Sequence, residues 1–298
     1  MTITVSMWET YLAFVIERHR IWENRQLGTP EPWTDDPILR SRKFTNVFRI
    51  LDPGSQFIRE LMEDEPSPRD ALARCLLYRQ TNRIEPWRAA REWLGRYPLA
   101  DDMNVDLALF WNDWRRAPGN EVFTSAYLVF PGNIRGADKV MTIVERTRTA
   151  ANDSSPTWQS FRGSHTLQKQ VEALRSHPGV GNFIAMQVAT DYNYGPHGSD
   201  QENSYVLPGP GAVNGARAIA PRTSAVDVLK RAHETVLSQH SCPSIWVHEK
   251  VRLPSLMDIQ NTLCEFSKYA RWVQKPAGTD YHPANPGEQP LPWYPTHW

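Results

Sequence analysis

The sequence predicts a helical protein, and three observations carry that reading. Apolar residues recur at three- and four-residue intervals in one segment after another. Recognisable helix starts precede several of those segments. Stretches rich in proline and glycine separate them. A chain of 298 residues is long enough for one large domain or two lobes.

Composition narrows the function classes. Hydrophobic content of 40% and charged content of 22% are ordinary for a globular protein, so disorder is not expected. The formal net charge is zero, so any nucleic-acid binding needs a local basic face rather than a global field. Three cysteines without a CxxC pattern argue against a disulfide framework or a zinc finger, and fit free thiols in a reducing compartment. Neither a membrane-length apolar run nor a signal-peptide pattern is seen, so an intracellular protein with no membrane partner is expected. The histidines are scattered, without HExxH or a facial triad, and no metal site is expected. A GxxxxGK[ST] loop is missing, which makes an ATP- or GTP-dependent kinase a poor reading.

In order along the chain, residues 7–25 read as a helix on the stripe Trp8, Leu12, Val15, Ile16 and Ile21. Residues 27–37 form a Pro/Gly loop. The run Ile38 to Asp52 then sets Arg40, Arg42, Lys43 and Arg49 among aromatic and branched residues. It reads either as an amphipathic helix with a solvated basic face or as a phosphate-binding face, with Asn46 and Arg49 on one side at i, i+3. Ser67-Pro68-Arg69-Asp70 is a helix start, with Ser as N-cap and Pro at the first position. Cys75 falls on the buried stripe behind it. Further helical patterns cover Trp87–Trp93, Leu107–Trp114 and residues 136–151. The run Val122 to Phe130 is ambiguous, and Pro131-Gly132-Asn133 breaks it.

The stretch Leu167 to Asp191 reads as helix, tight turn, helix. His177-Pro178 stops the first helix, because a residue before proline leaves the α region. Gly179 and Gly181 admit a turn that a Cβ would block. The second helix would begin with bare N–H groups facing solvent, a site for an anion such as a DNA phosphate. The plain alternative is a helix–helix connection. Asn193 to Pro221 reads as a long irregular stretch holding Pro208-Gly209-Pro210-Gly211 and Gly215, and long loops of this kind are often functional. Thr223 is expected to cap the next helix. Ser255 and Asp258 resemble a capping box for the helix after them. One face of that helix carries Asn261, Glu265 and Lys268 at i, i+4, i+7, with Tyr269 beside Glu265. This is either a solvated surface pair or a site. The tail from Lys275, ending Trp293-Tyr294-Pro295-Thr296-His297-Trp298, is expected to pack along the domain.

Four segments taken together resemble a phage family. They are Arg42 to Arg49, Pro178-Gly179-Val180-Gly181 through Tyr194, Pro208 through Gly215, and Cys264-Glu265-Phe266-Ser267-Lys268-Tyr269. Their order and spacing look like the α-glutamyl/putrescinyl thymine pyrophosphorylase clade, the amino acid:DNA transferases. The helical domain of 5-hydroxymethyluracil DNA kinases is a close relative of that clade. The resemblance implies an all-α, helix-hairpin-helix DNA-glycosylase-like fold with two lobes, about 35–160 and 161–275, the N-terminal helix packing across and 276–298 forming a tail.

The same resemblance implies the chemistry. A thymine whose methyl carries a phosphate or pyrophosphate is attacked by the amine of an amino acid, glycine being the simplest, or by another amine. The phosphate leaves. No redox or pyridoxal cofactor is needed. The expected partners are double-stranded DNA carrying the modified thymine and the free amino acid. The expected setting is a monomer in the cytoplasm of an infected bacterial host. On this reading Asp191 and Glu265 are candidate proton acceptors, and Lys268 holds a carboxylate or a uracil oxygen. Arg42, Lys43 and Arg49 stabilise the departing phosphate, with Asn46, Asn261 and Tyr269 around the base. His177, Gly179, Val180, Gly181 and Asn182 grip the DNA backbone while the base is flipped out. Gly209, Gly211 and Gly215 shape the base pocket. Two rivals remain: a glycosylase on the same fold, for which Asp200 lies near the required position, and a non-catalytic DNA-binding module.

Overall fold

In the computed structural model, which describes residues 6–124, 138–273 and 291–298, the expected helices form, together with helices over 53–62 and 156–162 that the sequence reading did not mark. They are α1 (Met7–Gln26), α2 (Pro37–Ser41), α3 (Pro53–Met62), α4 (Pro68–Thr81), α5 (Glu85–Leu94), α6 (Val105–Trp114), α7 (Lys139–Ala150), α8 (Pro156–Arg162), α9 (Leu167–Arg175), α10 (Asn182–Tyr194), α11 (Pro210–Ile219), α12 (Ala225–Leu237) and α13 (Leu256–Val273). The ambiguous run from Val122 and the break at Pro131 fall largely outside the described residues. The one sheet among the described residues is a two-stranded hairpin, β1 (Ile245–Val247) with β2 (Lys250–Arg252). His248 and Glu249 make its turn with φ of 46° and 67°. Sequence reading missed this hairpin, because three-residue strands carry too little periodicity to register. Every other described element is helical, and the fold is all-α.

The chain divides into two compact units. Residues 53–204 form a middle unit, and residues up to 52 join those from 205 onward in a terminal unit, His297 apart. The boundary expected near residue 160 instead falls inside α8, which packs on α9 within the middle unit.

In the middle unit α4 and α10 pack together and are buried nearly all round. Ser67 caps α4 as expected, accepting from the Asp70 amide at 3.2 Å. Cys75 is in the core. The wholly buried Arg74 is tolerated because all five of its N–H groups find acceptors: Asp64, and the carbonyls of Leu61, Tyr97 and Pro98.

The terminal unit is built around α13. Ser255 and Asp258 form the expected box: the Ser255 amide donates to Asp258 Oδ2 at 2.9 Å, and the Asp258 amide to Ser255 Oγ at 3.1 Å. α1 lies against α13 through Tyr11, whose ring meets Phe266 edge-on and whose hydroxyl bonds Thr262 at 2.7 Å. The cap of α12 is Ser224, one residue later than expected. In the described part of the tail, the Trp298 ring packs under Arg252 at 3.5 Å, and His248 bonds the Pro295 carbonyl at 2.8 Å.

Residues 210–219 correct the reading of Asn193 to Pro221 as irregular. Pro210 sits at the first position of α11, where its missing N–H costs nothing. Gly211 and Gly215, one turn apart, then lie against α13. A Cβ on Gly211 would sit 2.2 Å from Cys264 Sγ, and one on Gly215 would sit 1.9 Å from the Leu263 carbonyl oxygen. These glycines let two helices approach closely and do not form an open pocket loop. Gly209 is the uncharged N-cap of α11.

Candidate functional site

The face predicted on α13 is covered by the segment after α2. That segment is not the helix its spacing allowed. Helix α2 stops at Ser41, residues 42–48 form no regular element, and a single 3-10 turn covers Arg49–Leu51. Asn46 and Arg49 therefore do not share a helix face. They are placed instead by polar contacts from α13 and α1.

Asn261 Nδ2 donates to Thr45 Oγ1 at 3.2 Å and to the Asn46 carbonyl at 3.0 Å. Glu265 accepts from the Thr45 amide at 3.2 Å and from Lys268 Nζ at 2.6 Å. Asp258, the cap residue of α13, accepts from the Arg49 amide at 2.7 Å. The Asn46 amide donates to Asp52 Oδ1 at 2.8 Å. From α1, Arg18 Nη2 reaches both the Phe44 carbonyl (3.1 Å) and Asn46 Oδ1 (2.9 Å). Arg18 is buried, and its Nη1 has no hydrogen-bond partner among the described residues.

Burial sorts these groups. Glu265, Arg49 and Asp258 are buried, Thr45, Asn46, Asn261 and Asp52 are half-buried, and the Lys268 side chain is 44% exposed. Burial lowers the Arg18 guanidinium to about 10, against the opposing pull of Asp52. It pushes the Asp52 carboxyl up to about 7, with Glu265 adding to the rise and the Asn46 amide, Arg18 and Arg49 opposing it. The result is a cluster of mixed charge with one carboxyl poised near neutrality.

The other predicted residues have different surroundings. Lys43 is exposed. The Arg42 guanidinium lies over the Trp272 ring at 3.8 Å. Tyr269 donates to Asp36 Oδ2 at 2.5 Å and packs among Phe14, Phe44 and Phe266, so its hydroxyl fixes the start of α2. Burial raises the Cys264 thiol, and its sulfur is wedged against Gly211; neither suits a nucleophile.

Asp191 belongs to the middle unit. It is wholly buried and held by both Arg79 Nε and Arg79 Nη2, the latter at 2.9 Å. A carboxylate gripped in this way joins α10 to α4. It is badly placed to take a proton from a substrate, which corrects its candidacy as a base. In the connection between α9 and α10, Gly179 has φ +85°, and a Cβ there would lie 2.6 Å from Arg146 Nη1. Gly181 has ordinary φ, and nothing lies within 4 Å of its Cβ position. One glycine is therefore required, not two. His177 and Val180 tuck inward, while Gly179, Gly181 and Asn182 are exposed and no side chain caps α10. Arg146 adds a cation at this bend.

The helical-domain family of 5-hmdU DNA kinases matches residues 5–278. The chain belongs to this family. A 5-hmdU DNA kinase of Bacillus phage SP10 is 27% identical over 200 residues, covering 62% of this chain and 31% of that protein. The chain thus aligns with less than a third of the relative's length. No solved structure matches it significantly.

Sequence reading of this helical domain missed Arg18, Asp52 and Arg146. Arg18 and Arg146 sit in ordinary amphipathic patterns, where a charged residue reads as solvated. Asp52 ends the basic run and was legible only as its boundary. Among the described residues, no group of three or more His, Cys, Asp or Glu is placed to hold a metal ion, and no helix is long and apolar enough to cross a membrane.

Proposed function

We propose that this protein is a phage DNA-hypermodification enzyme. It transfers an amino acid, most simply glycine, through its amine onto 5-(phospho or pyrophospho)methyl-deoxyuridine in double-stranded DNA, displacing the phosphate. It works as a monomer in the cytoplasm of the infected host. Family membership and the name of the phage relative support a substrate derived from 5-hydroxymethyluracil in DNA. The observation that carries the reading is the polar seam between the 42–52 segment and the Asn261–Glu265–Lys268 face of α13, which joins cations, carboxylates and amide donors in one place.

Such a seam suits a displacement. Lys43 and Arg42 take up charge on the departing phosphate, with Arg49 contributing from within, as a preorganised field that needs no rearrangement during reaction. Lys268, partly exposed, meets the carboxylate of the incoming amino acid or a uracil oxygen. Asn261 and Asn46 fix the segment that faces the base. An ammonium cannot attack, so a carboxylate of the seam removes its proton first. The exposed residues Gly179, Gly181 and Asn182, with Arg146, hold the DNA backbone by contacts that carry no sequence information.

The test is to incubate duplex containing 5-phosphomethyl-deoxyuridine with glycine, following oligonucleotide mass, free base and duplex binding. Added mass with loss of phosphate supports transfer. Release of a free base would establish a glycosylase instead. Binding without either product would reduce the protein to a DNA-binding module.

A further inference from the structure

The seam holds two carboxylates, Asp52 and Glu265, and their hydrogen bonding differs. Glu265 is buried with both oxygens committed, one to the Lys268 ammonium and one to the Thr45 amide. Asp52 is half-buried. Its Oδ1 accepts from the Asn46 amide, and its Oδ2 takes no hydrogen bond among the described residues. The anchored oxygen is held in turn from α1, because Arg18 fixes the Asn46 side chain. Charged groups face Asp52 from three elements: Arg18 of α1, Arg49 of the 3-10 turn and Glu265 of α13. Burial, aided by Glu265 and opposed by the two arginines, leaves its carboxyl near neutrality, where a proton acceptor works best. Paired carboxylates in unequal surroundings commonly divide proton transfer from electrostatic support.

We propose that Asp52 takes the proton from the attacking amine, and that Glu265 is a positioning residue which holds Lys268 and the 42–52 segment. This rests on the transfer reaction proposed above. In the step, Asp52 Oδ2 accepts one proton from the donor ammonium. The freed nitrogen lone pair forms the N–C bond to the 5-methylene carbon. The C–O bond to the phosphate breaks, and the phosphate or pyrophosphate leaves with the electron pair. Asp52 then returns its proton to solvent.

Single-turnover transfer to 5-phosphomethyl-deoxyuridine duplex, for wild type, Asp52→Asn and Glu265→Gln, tests this with two amines. Glycine is protonated near neutral pH, and aminoacetonitrile is largely unprotonated there. Asparagine keeps the acceptor for the Asn46 amide, so duplex binding should persist. With glycine, Asp52→Asn should lose about 100-fold or more; with aminoacetonitrile it should stay within about tenfold of wild type. Glu265→Gln should be impaired with both amines alike. Equal losses with both amines in Asp52→Asn, or a wild-type rate with glycine, would overturn the assignment. A wild-type protein that transfers neither amine overturns the proposed function instead. Carboxyl 13C titration of Asp52, identified by its loss in Asp52→Asn, then decides the remaining question. A midpoint near 7 is expected, and one in the ordinary carboxylate range removes Asp52 from the role.

Discussion

Single residues carry chemistry that sequence alone ranked differently. Asp191 follows the Pro-Gly-Val-Gly bend on a helix and looked available, yet its partner Arg79 lies 112 positions away in the chain. No local pattern announces such a pairing. Removing one partner of a buried ion pair leaves the other uncompensated, so Asp191→Asn should cost about 3–5 kcal/mol of stability in denaturant unfolding. Unchanged stability with lost transfer would restore it as a catalytic group. Asp52 gives a pH signature of its own. Its carboxyl lies near 7 in the folded protein against 3.8 ordinarily, so its contribution is full below about 4 and is lost as pH rises through 7. The stability of Asp52→Asn relative to wild type should therefore rise between pH 5 and pH 8, read by thermal melts at each pH. At the bend, Gly179→Ala forces a Cβ into a left-handed residue against Arg146 and should destabilise by about 1 kcal/mol or more. Gly181→Ala has open space and should cost less.

At the scale of elements, most helices with a capping residue and a stripe were legible, while α8, only seven residues long, and α11, whose glycines do the packing, were not. Ser67-Pro68 and the Ser255–Asp258 box marked α4 and α13 correctly because caps are local chemistry. The run Pro208 to Gly215 looked irregular because proline and glycine ordinarily break helices; here proline begins one and the glycines seat it on α13. The basic run from Ile38 to Asp52 had helical spacing, but tertiary bonds from Asn261, Glu265 and Asp258 hold it out of an α-helix after Ser41. The α11–α13 contact makes a specific forecast. Gly211→Ala and Gly215→Ala should each destabilise by about 1–3 kcal/mol through overpacking, Gly215 more because it meets backbone. Cys264→Ala should recover part of the Gly211→Ala loss, since the obstruction there is the sulfur, and none of the Gly215→Ala loss. Additive losses in both double variants would show that the contact is misplaced.

Across the whole molecule, two features stand out, each within one unit. The middle unit presents an uncapped helix start with Arg146 beside it, and the terminal unit holds the seam of Asp52, Glu265, Lys268 and the basic segment. The seam was half legible: the face of α13 and the cations of the 42–49 run were visible, but Arg18 and Asp52 needed three-dimensional neighbours to be noticed. The family match places the chain among the helical domains of 5-hmdU DNA kinases, and the chain aligns with less than a third of the SP10 relative, so its reaction must be established on this chain itself. The most direct measurement uses duplex carrying 5-phosphomethyl-deoxyuridine and 15N-glycine, followed by digestion to nucleosides and mass spectrometry. The predicted product is a deoxyuridine bearing 15N-glycine at the 5-methylene carbon, with one phosphate released for each base converted. Recovery of unmodified phosphomethyl nucleoside alone, or of free base without a nitrogen adduct, would contradict amine transfer by this protein.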